Sequence, residues 1–535
     1  MKNKLYRIPY EINNLCDLLK KAVETYENKT YAEQFVNGSR QKFSFIELKR
    51  DIGIVGNYFL KHKLSDSYIL LSGNLSYEWI VTFFAVQFVR SKAVCIDKNI
   101  LTRDDFSHVI SGIDISFNIT DGKIDRPDSI TFSDIRNILN DDLSDCDFNY
   151  DIEINDSANE IAVVLFTSGT TNIEKQVYLT HKNLADNIMG SEKLVGAHSY
   201  DRMLSFLPVH HAFELTVGVL TTIYIGMTVC IPRGLKYAMK DILEFSPTLI
   251  PAVPLIMKTI MKNIKSEVKR KKKERMFNFL LKAEGIPLIS KMFRRLLYNT
   301  VVPSLGGKLK IFVCGGASAD DEMQIFFKKL GFRMCMGYGI TECSPVICCG
   351  DKITGSVGPA MPYCKIKVID GELCVKGSIV AKQLAPDIND HMEFYDDWYR
   401  TGDLGHIDKN GNVFITGRKK ELIILDNGEN VSPTQLETIL DNLEGVEETM
   451  AFAYSMPNRS SVLAVAIKPV KEWEGKPNQE LIDNYRQQIS ALKLPNQFKI
   501  EKMIIFRDDF LHTSSRKIKR TDSIKLIEKR CCINE

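Results

Sequence analysis

The sequence has no CxxC pair among its thirteen cysteines, so neither a structural zinc site nor a redox dithiol is indicated. An odd, scattered set of thiols fits a reducing compartment better than a disulfide scaffold and points to the cytoplasm. An excess of one charge is missing too. Seventy Lys and Arg against sixty-seven Asp and Glu leave +3, too little to announce a nucleic-acid partner over the whole surface. Only 18 of 535 residues are proline, and 44% are hydrophobic and 26% charged, which excludes collagen-like, coiled-coil and mainly disordered chains. The opening MKNKLYRIPYEIN has no apolar h-region and does not read as a signal peptide. There is no internal repeat. Long apolar runs are scarce: the nearest, 215–231, carries no charge, but Gly226 ahead of MTVCIP predicts a buried helix, a turn and a buried strand rather than a membrane span.

What is present is an alternation of short β-branched runs with longer amphipathic stretches. SYILLS (67–72), 77–89, KAVCI (92–96) and IAVVLF (161–166) set it up, and TLIPAV (248–253), KIFVCG (310–315), 320–330 and FRMCMGYG (332–339) continue it. That is the βα pattern of a parallel or mixed sheet covered by helices. The acidic stretch 139–159 has no period and reads as a connecting loop. After the turn-rich IDKNGN (407–412), a helical 434–443, a strand LAVAIKPV (463–470), a helix near 479–492 and a strand KMIIF (502–506) predict a small α+β domain. The boundaries are therefore 1–416 and 417–535.

The first stretch that carries chemistry is FTSGTTNIEKQV (166–177), directly after a predicted strand. A loop of Thr, Ser and Gly turns backbone N–H groups and hydroxyls toward one anion, and Lys175 adds a compact positive charge, so the loop is a phosphate cradle. It lacks the GK[ST] ending of a P-loop and the GxGxxG of a dinucleotide fold, which argues against an NTPase of that type and against a dehydrogenase.

Further motifs follow in order: LPVHHAFE (207–214), GGA (315–317), GYGITE (337–342), WYRTGDLG (398–405), GRKKELI (417–423) and RKIKR (516–520). Together they resemble the adenylate-forming superfamily, and LPVHHAFE, GRKKELIILDNGENVSP and the basic insert before GGA are most similar to bacterial long-chain fatty acid–CoA ligases. The resemblance implies an α/β fold, with a large N-terminal domain of layered sheets and helices and a small mobile α+β C-terminal domain. It implies ATP-dependent activation of a carboxylic acid through an acyl-adenylate, with release of pyrophosphate and transfer to the thiol of CoA, and Mg²⁺ as the metal. Thr167, Ser168, Gly169, Thr170, Thr171 and Lys175 would hold the β- and γ-phosphates. Gly315, Gly316 and Ala317 would form the adenine-side turn, with Tyr338 and Gly339 against the base. Thr341 would contact the α-phosphate, Glu342 would ligate Mg²⁺, Asp403 would accept from the ribose hydroxyls and Arg418 would add a nucleotide contact. His211 would stand where the carboxylate meets the acyl tunnel, although His210 beside it could serve as well. Lys517 would bridge carboxylate and phosphate, Lys420 would be the hinge, and the loop at Gly428 would close on the acceptor.

The chain also departs from the pattern. The usual TSGTTGxPKG has glycine, proline and glycine where this chain has Asn172, Glu174 and Gln176, and the tail reads Ser515-Arg516-Lys517 in place of TGK. Asn tolerates positive φ, but a carboxylate beside triphosphate repels it unless Glu174 turns to solvent or neutralises Lys175. Two alternatives stay open: an acyl-AMP ligase loading an acyl carrier protein, and a catalytically degenerate acyl- or nucleotide-binding protein. Leu207 to His211 stand where amino-acid-activating members carry Phe-Asp, which favours a fatty acid over an α-amino acid, with an aryl acid still open. The insert 261–300 carries twelve Lys and Arg against three Glu, a net +9. Met292, Phe293, Leu296 and Leu297 fall opposite Lys291, Arg294 and Arg295 at helical spacing, so the insert reads either as a peripheral contact with the inner face of an anionic membrane or as a solvated helical face.

Overall fold

The computed structural model describes residues 10–124, 126, 128–141, 148, 150, 157–168, 174–270, 272, 274–275, 277, 295, 298–299, 301–316, 321–381, 383–384, 393–425, 430–455, 461–492, 494–495, 498–512 and 518–531. The chain divides into two compact units. The first comprises Met1–Lys367, Cys374–Tyr399 and Asp408–Val413; the second comprises Val368–Leu373, Arg400–Ile407 and Phe414–Glu535.

In the first unit the β-branched runs form fourteen strands here labelled in chain order: β1 Thr30–Val36, β2 Ser39–Ser44, β3 Tyr68–Ser72, β4 Lys92–Cys95, β5 Ile115–Thr120, β6 Ser129–Thr131, β7 Ile161–Ser168, β8 Glu174–Thr180, β9 Arg202–Leu204, β10 Thr228–Cys230, β11 Leu249–Ala252, β12 Ile311–Cys314, β13 Arg333–Gly339 and β14 Val346–Gly350. They build two sheets. One runs β14-β13-β12-β11-β9-β10-β1-β2, parallel throughout except for antiparallel β14 and β2 at its edges. The other runs β8-β7-β4-β3-β5-β6, parallel except for the β7–β8 hairpin, and is extended beyond β8 by the two-residue strand Gln383–Leu384.

The helix Tyr77–Phe88 explains why two sheets are needed. Its sequence YEWIVTFFAVQF is apolar but for Glu78, Thr82 and Gln87, all twelve residues are buried, and it packs on β1 of one sheet and β3 of the other. A helix with no face turned to solvent belongs between layers. Its start is fixed by Ser76, whose hydroxyl accepts from Trp79 N–H at 3.0 Å. Helix Phe45–Lys61 starts at a Ser44/Glu47 capping box, and helix His181–Val195 runs from a Thr180/Asn183 box to Gly196 at φ +61°.

The apolar run 215–231 divides as its glycine predicts. A π-helical turn Glu214–Leu220 leads into helix Thr221–Ile225, Gly226 takes φ +75° under the ring of Tyr26, and β10 follows. Among the described residues no helix is long and apolar enough to cross a membrane. The segment 139–159 is less uniform than a connecting loop. Its first two residues close helix Phe132–Asn140, Ser157–Asn159 make a 3₁₀ turn, and Phe148 is buried so tightly on Gly56 that a Cβ there would lie 2.4 Å from the ring. The hairpin β1–β2, turning at Asn37-Gly38 with positive φ at both, adds strands ahead of those read from sequence. Ten of the described cysteines form no disulfide, nine of them buried.

The second unit folds around the sheet Val446–Ser455, Ser461–Pro469, Lys502–Ile505, antiparallel then parallel. Period two splits its strands: Leu463, Val465 and Ile467 pack with helices Pro433–Leu440 and Asn478–Ala491, while Ala464 and Ala466 pack with Phe452, Phe510 and Ile527 of helix Arg520–Cys531. One buried ion pair ties the two faces. Arg520 donates from both terminal nitrogens to Glu437, at 2.6 and 2.7 Å, and to Ala451 C=O at 3.2 Å, while Ala451 N–H donates to Glu437 at 2.7 Å. Arg520→Ala leaves Glu437 buried and unpaired, and this is expected to destabilise the unit by roughly 3 kcal/mol, with Glu437→Met added to Arg520→Met recovering most of it. Hydrogen-exchange protection of Val446–Ser455 in the intact chain measures both.

Candidate active site

Strands β7 and β8 set Thr167 opposite Lys175 and Ser168 opposite Glu174. The phosphate-cradle residues Gly169, Thr170 and Thr171 lie between them, outside the described residues. Glu174 neither turns to solvent nor pairs with Lys175. It accepts from Arg103 Nη1 at 2.5 Å, and the same guanidinium holds Asp105 through Nε at 2.8 Å. Gln176, at the second departure, is fully buried: its Nε2 donates to Val109 C=O and Ser111 C=O at 2.9 Å each, and its Oε1 accepts from Tyr178 OH at 2.8 Å. Neither the Arg103 pairing nor the anchoring of Gln176 was read from sequence, because the partners lie about seventy residues upstream in no recognisable motif.

The turn Thr341–Cys343 packs beside β8, so the residues that follow β13 and the strand that carries Lys175 come together. That turn is held from four directions. Asn187 Nδ2 donates to Cys343 C=O and Val346 C=O at 2.9 Å each, Thr216 Oγ1 to Ser344 C=O at 3.1 Å, Ser344 Oγ to Ile379 C=O at 2.9 Å, and Ala381 N–H to Glu342 C=O at 2.8 Å. Thr341 and Glu342 are thus fixed by a backbone that cannot drift, and both are half-buried. Tyr338, the penultimate residue of β13, is buried. Gly339 after it has no room for a side chain, since a Cβ would lie 1.9 Å from Pro345 O. Gly315 and Gly316 leave the end of β12 beside Gly337; the ring of Phe213 stands 3.4 Å from where a Gly315 Cβ would be, so the LPVHHAFE segment and the GG turn are in contact. Ala317 lies outside the described residues.

The two adjacent histidines differ in their surroundings. His210 Nε2 stands 3.6 Å from Asp97 Oδ2, and burial holds its pKa below the ordinary value against the pull of that carboxylate. His211, half-buried, lies with its ring centroid 4.5 Å from that of His210. Glu214, which ends the same motif, is fully buried. Burial pushes its pKa up to about 8, only partly opposed by a hydrogen bond from the Leu207 backbone, and its carboxyl lies against Gly218, where a Cβ would come within 2.2 Å.

In the second unit Asp403, on strand Trp398–Ile407, accepts from Arg418 Nε at 2.8 Å, and its N–H donates to Thr401 Oγ1 at 3.0 Å. The sequence reading missed Glu372, which anchors this region: buried, it accepts from Arg400 Nε and Nη2 at 3.1 and 2.6 Å, Gly402 N–H at 2.9 Å and Lys419 Nζ at 3.3 Å. Burial raises its pKa, yet these donors outweigh burial and hold it below the ordinary carboxylate value. Lys517 and Gly428 lie outside the described residues.

Residues 19–384 match the family described as AMP-binding enzyme. The long chain acyl-CoA synthetase 6, peroxisomal, of Arabidopsis thaliana is 31% identical over 371 residues, covering 62% of this chain and 53% of that protein. The long-chain-fatty-acid–CoA ligase 1 of Homo sapiens is 29% identical over 340 residues, covering 58% and 48%. The chain thus spans about half the length of the curated relatives it matches. Among solved structures, the o-succinylbenzoate coenzyme A synthetase of Bacillus subtilis in complex with ATP and magnesium ion superposes with a TM-score of 0.72 at 20% identity, over 95% of this chain and 99% of that one. At that identity the likeness is one of fold.

Because Glu214 keeps its proton when folded and loses it when unfolded, the native state binds more protons between the ordinary glutamate pKa of 4.5 and about 8. Stability from this group therefore falls as pH rises through that window, by at most about 1.4 kcal/mol per pH unit. Glu214→Gln removes the dependence, so the variant is expected to gain on the wild type steadily from pH 5 to pH 8 in parallel thermal melts.

Proposed function

Since the chain belongs to the AMP-binding enzyme family and has its layered adenylate-forming fold, we propose that it activates a carboxylic acid, a long-chain fatty acid, and passes the acyl group to CoA. In the first step a carboxylate oxygen bonds to the α-phosphorus of ATP and the bond to the β-phosphate breaks, giving acyl-adenylate and pyrophosphate. In the second the CoA thiol attacks the acyl carbon, loses its proton and expels AMP. The observation that carries this reading is the meeting of the β7–β8 hairpin, with Thr167 and Lys175, and the braced turn of Thr341 and Glu342.

The role proposed for each residue is the one that the family resemblance implies. Thr167, Ser168, Gly169, Thr170, Thr171 and Lys175 hold the β- and γ-phosphates through hydroxyls, N–H groups and a compact charge. Gly315, Gly316, Ala317, Tyr338 and Gly339 receive the adenine, where absent side chains admit a flat base. Thr341 orients the α-phosphate. Asp403 and Arg418 hold the ribose. Lys517 meets the charge that builds between carboxylate and phosphate, and His211 lies at the carboxylate end of the acyl site. Gly428 belongs to the loop that serves the thiol step, with domain 417–535 turning about Lys420 between the two steps. Mg²⁺ supplies charge neutralisation at the phosphates. When bound it would be held by the carboxylate of Glu342, whose main-chain carbonyl accepts from Ala381 N–H at 2.8 Å.

The fatty acid is supported by the names of the long-chain relatives, and the mainly apolar segments around Met257 and Val346 to Ile347 suit it. CoA is the acceptor in this reading, in the cytoplasm. The insert 261–300 gives the protein a peripheral contact with an anionic bilayer: Lys262, Lys265, Lys269 and Arg270 are exposed on helix Pro254–Arg270, while Met292, Phe293, Leu296 and Leu297 lie outside the described residues. Fatty-acid-dependent exchange of labelled pyrophosphate into ATP is the test. Exchange is expected with long-chain acids and is expected to fall roughly 100-fold or more in Lys517→Ala. Protein that binds ATP yet exchanges with no fatty, aryl or amino acid would overturn the proposal.

A further inference from the structure

Glu174 stands where the family pattern has proline, immediately before the lysine of the phosphate cradle. A carboxylate there adds repulsion toward a polyanion. One of its oxygens takes the 2.5 Å hydrogen bond from Arg103, and the other, Oε2, is buried with no hydrogen-bond partner among the described residues. The side chain of Glu174 is 16% exposed and that of Arg103 35%, so the pair is partly shielded from water and salt. Asp105 fixes the far side of the guanidinium, and two residues along β8 Gln176 fastens to Val109 and Ser111. Glu174 and Gln176 share one face of the strand and Lys175 takes the other. Segment 103–111 thus grips one face of β8, and the cradle's lysine belongs to the opposite face.

We propose that Arg103 is a positioning residue of the phosphate hairpin: it neutralises Glu174 and holds it on segment 103–111, so that the hairpin accepts a triphosphate despite a carboxylate in the proline position. This rests on the ATP-dependent reading above and deepens it, adding a residue outside every family motif in the chain. It also explains how the departure is tolerated. The repulsion that Glu174 would exert is offset by a guanidinium, shared with Asp105, that arrives from the turn ahead of helix Phe106–Val109.

The test is a suppressor series in the full-length protein, read by calorimetric titration with Mg·ATP and by the KM for ATP in pyrophosphate exchange. Arg103→Gln is expected to weaken ATP about tenfold, with the KM for the acid unchanged within about twofold, because the carboxylate of Glu174 is left without its counter-charge one residue from Lys175. Arg103→Lys, which keeps the charge, should stay within about threefold of wild type, as should Arg103→Gln combined with Glu174→Gln. Arg103→Gln with Glu174→Pro should recover likewise, since proline is tolerated at the first residue of a strand. The deficit of Arg103→Gln should shrink at about 0.5 M salt, which a merely structural role would not produce. Unchanged ATP affinity in Arg103→Gln, or double variants as weak as the single one, would overturn the inference. A wild type that binds ATP but exchanges nothing defeats the proposed activity while the titrations still decide the role of Arg103. A wild type that binds no ATP overturns both.

Discussion

The pairing of β7 with β8 is the interaction on which the site depends, because it sets both ends of the cradle at once. Thr167 and Lys175 face each other across the ladder, and β7 is itself locked to β4 inside a parallel sheet. A hairpin that has to grip a polyanion needs one stiff face and one available face. The alternation of side chains along β8 separates the two faces: Gln176 and Glu174 are committed to segment 103–111, and Lys175 between them belongs to the other face. The turn Thr341–Cys343 then needs only to pack beside β8 for its threonine and glutamate to share the space.

Rigidity at that turn comes from many short-range contacts rather than from one strong one. Asn187, Thr216, Ser344 and Ala381 belong to different elements, and each satisfies a main-chain carbonyl that the irregular backbone would otherwise leave unpaired. Glycine completes the arrangement where space is missing. Gly339 sits against Pro345 O at a distance that no Cβ could occupy, so the second glycine of GYG reflects close approach of backbones.

How far the sequence exposes this structure depends on how local the cause is. The runs that became β7, β11, β12 and β13 were legible because a central parallel strand is apolar throughout, and the glycine-split run 215–231 was legible because Gly226 marks the turn. The Asn37-Gly38 signal for β1–β2 was present but unused. Candidate site residues in contiguous motifs were named from the family resemblance that those motifs carry. Arg103, Glu372 and the Glu437–Arg520 pair could not, because their partners are brought near only by the fold, at separations of 71, 28 to 47 and 83 residues. The same holds for Phe148, an aromatic in an acidic stretch whose burial depends on the missing side chain of Gly56.

The acidic groups around the motifs show a common logic in how charge is managed. Glu174 is paired with one arginine; Glu372 collects donors from Arg400, Gly402 and Lys419; Glu214, with no cation against it, stays protonated because burial makes ionisation costly. Three different devices bring the uncompensated charge of these structural carboxylates toward zero. Under the proposed function, a site for a tetra-anionic nucleotide gains from this, since any unpaired structural carboxylate would compete with the few acids that have work with the ligand. In the proposal for Arg103, the glutamate in place of proline and the guanidinium that meets it form one unit, so the departure from the family pattern and its remedy have to be understood together.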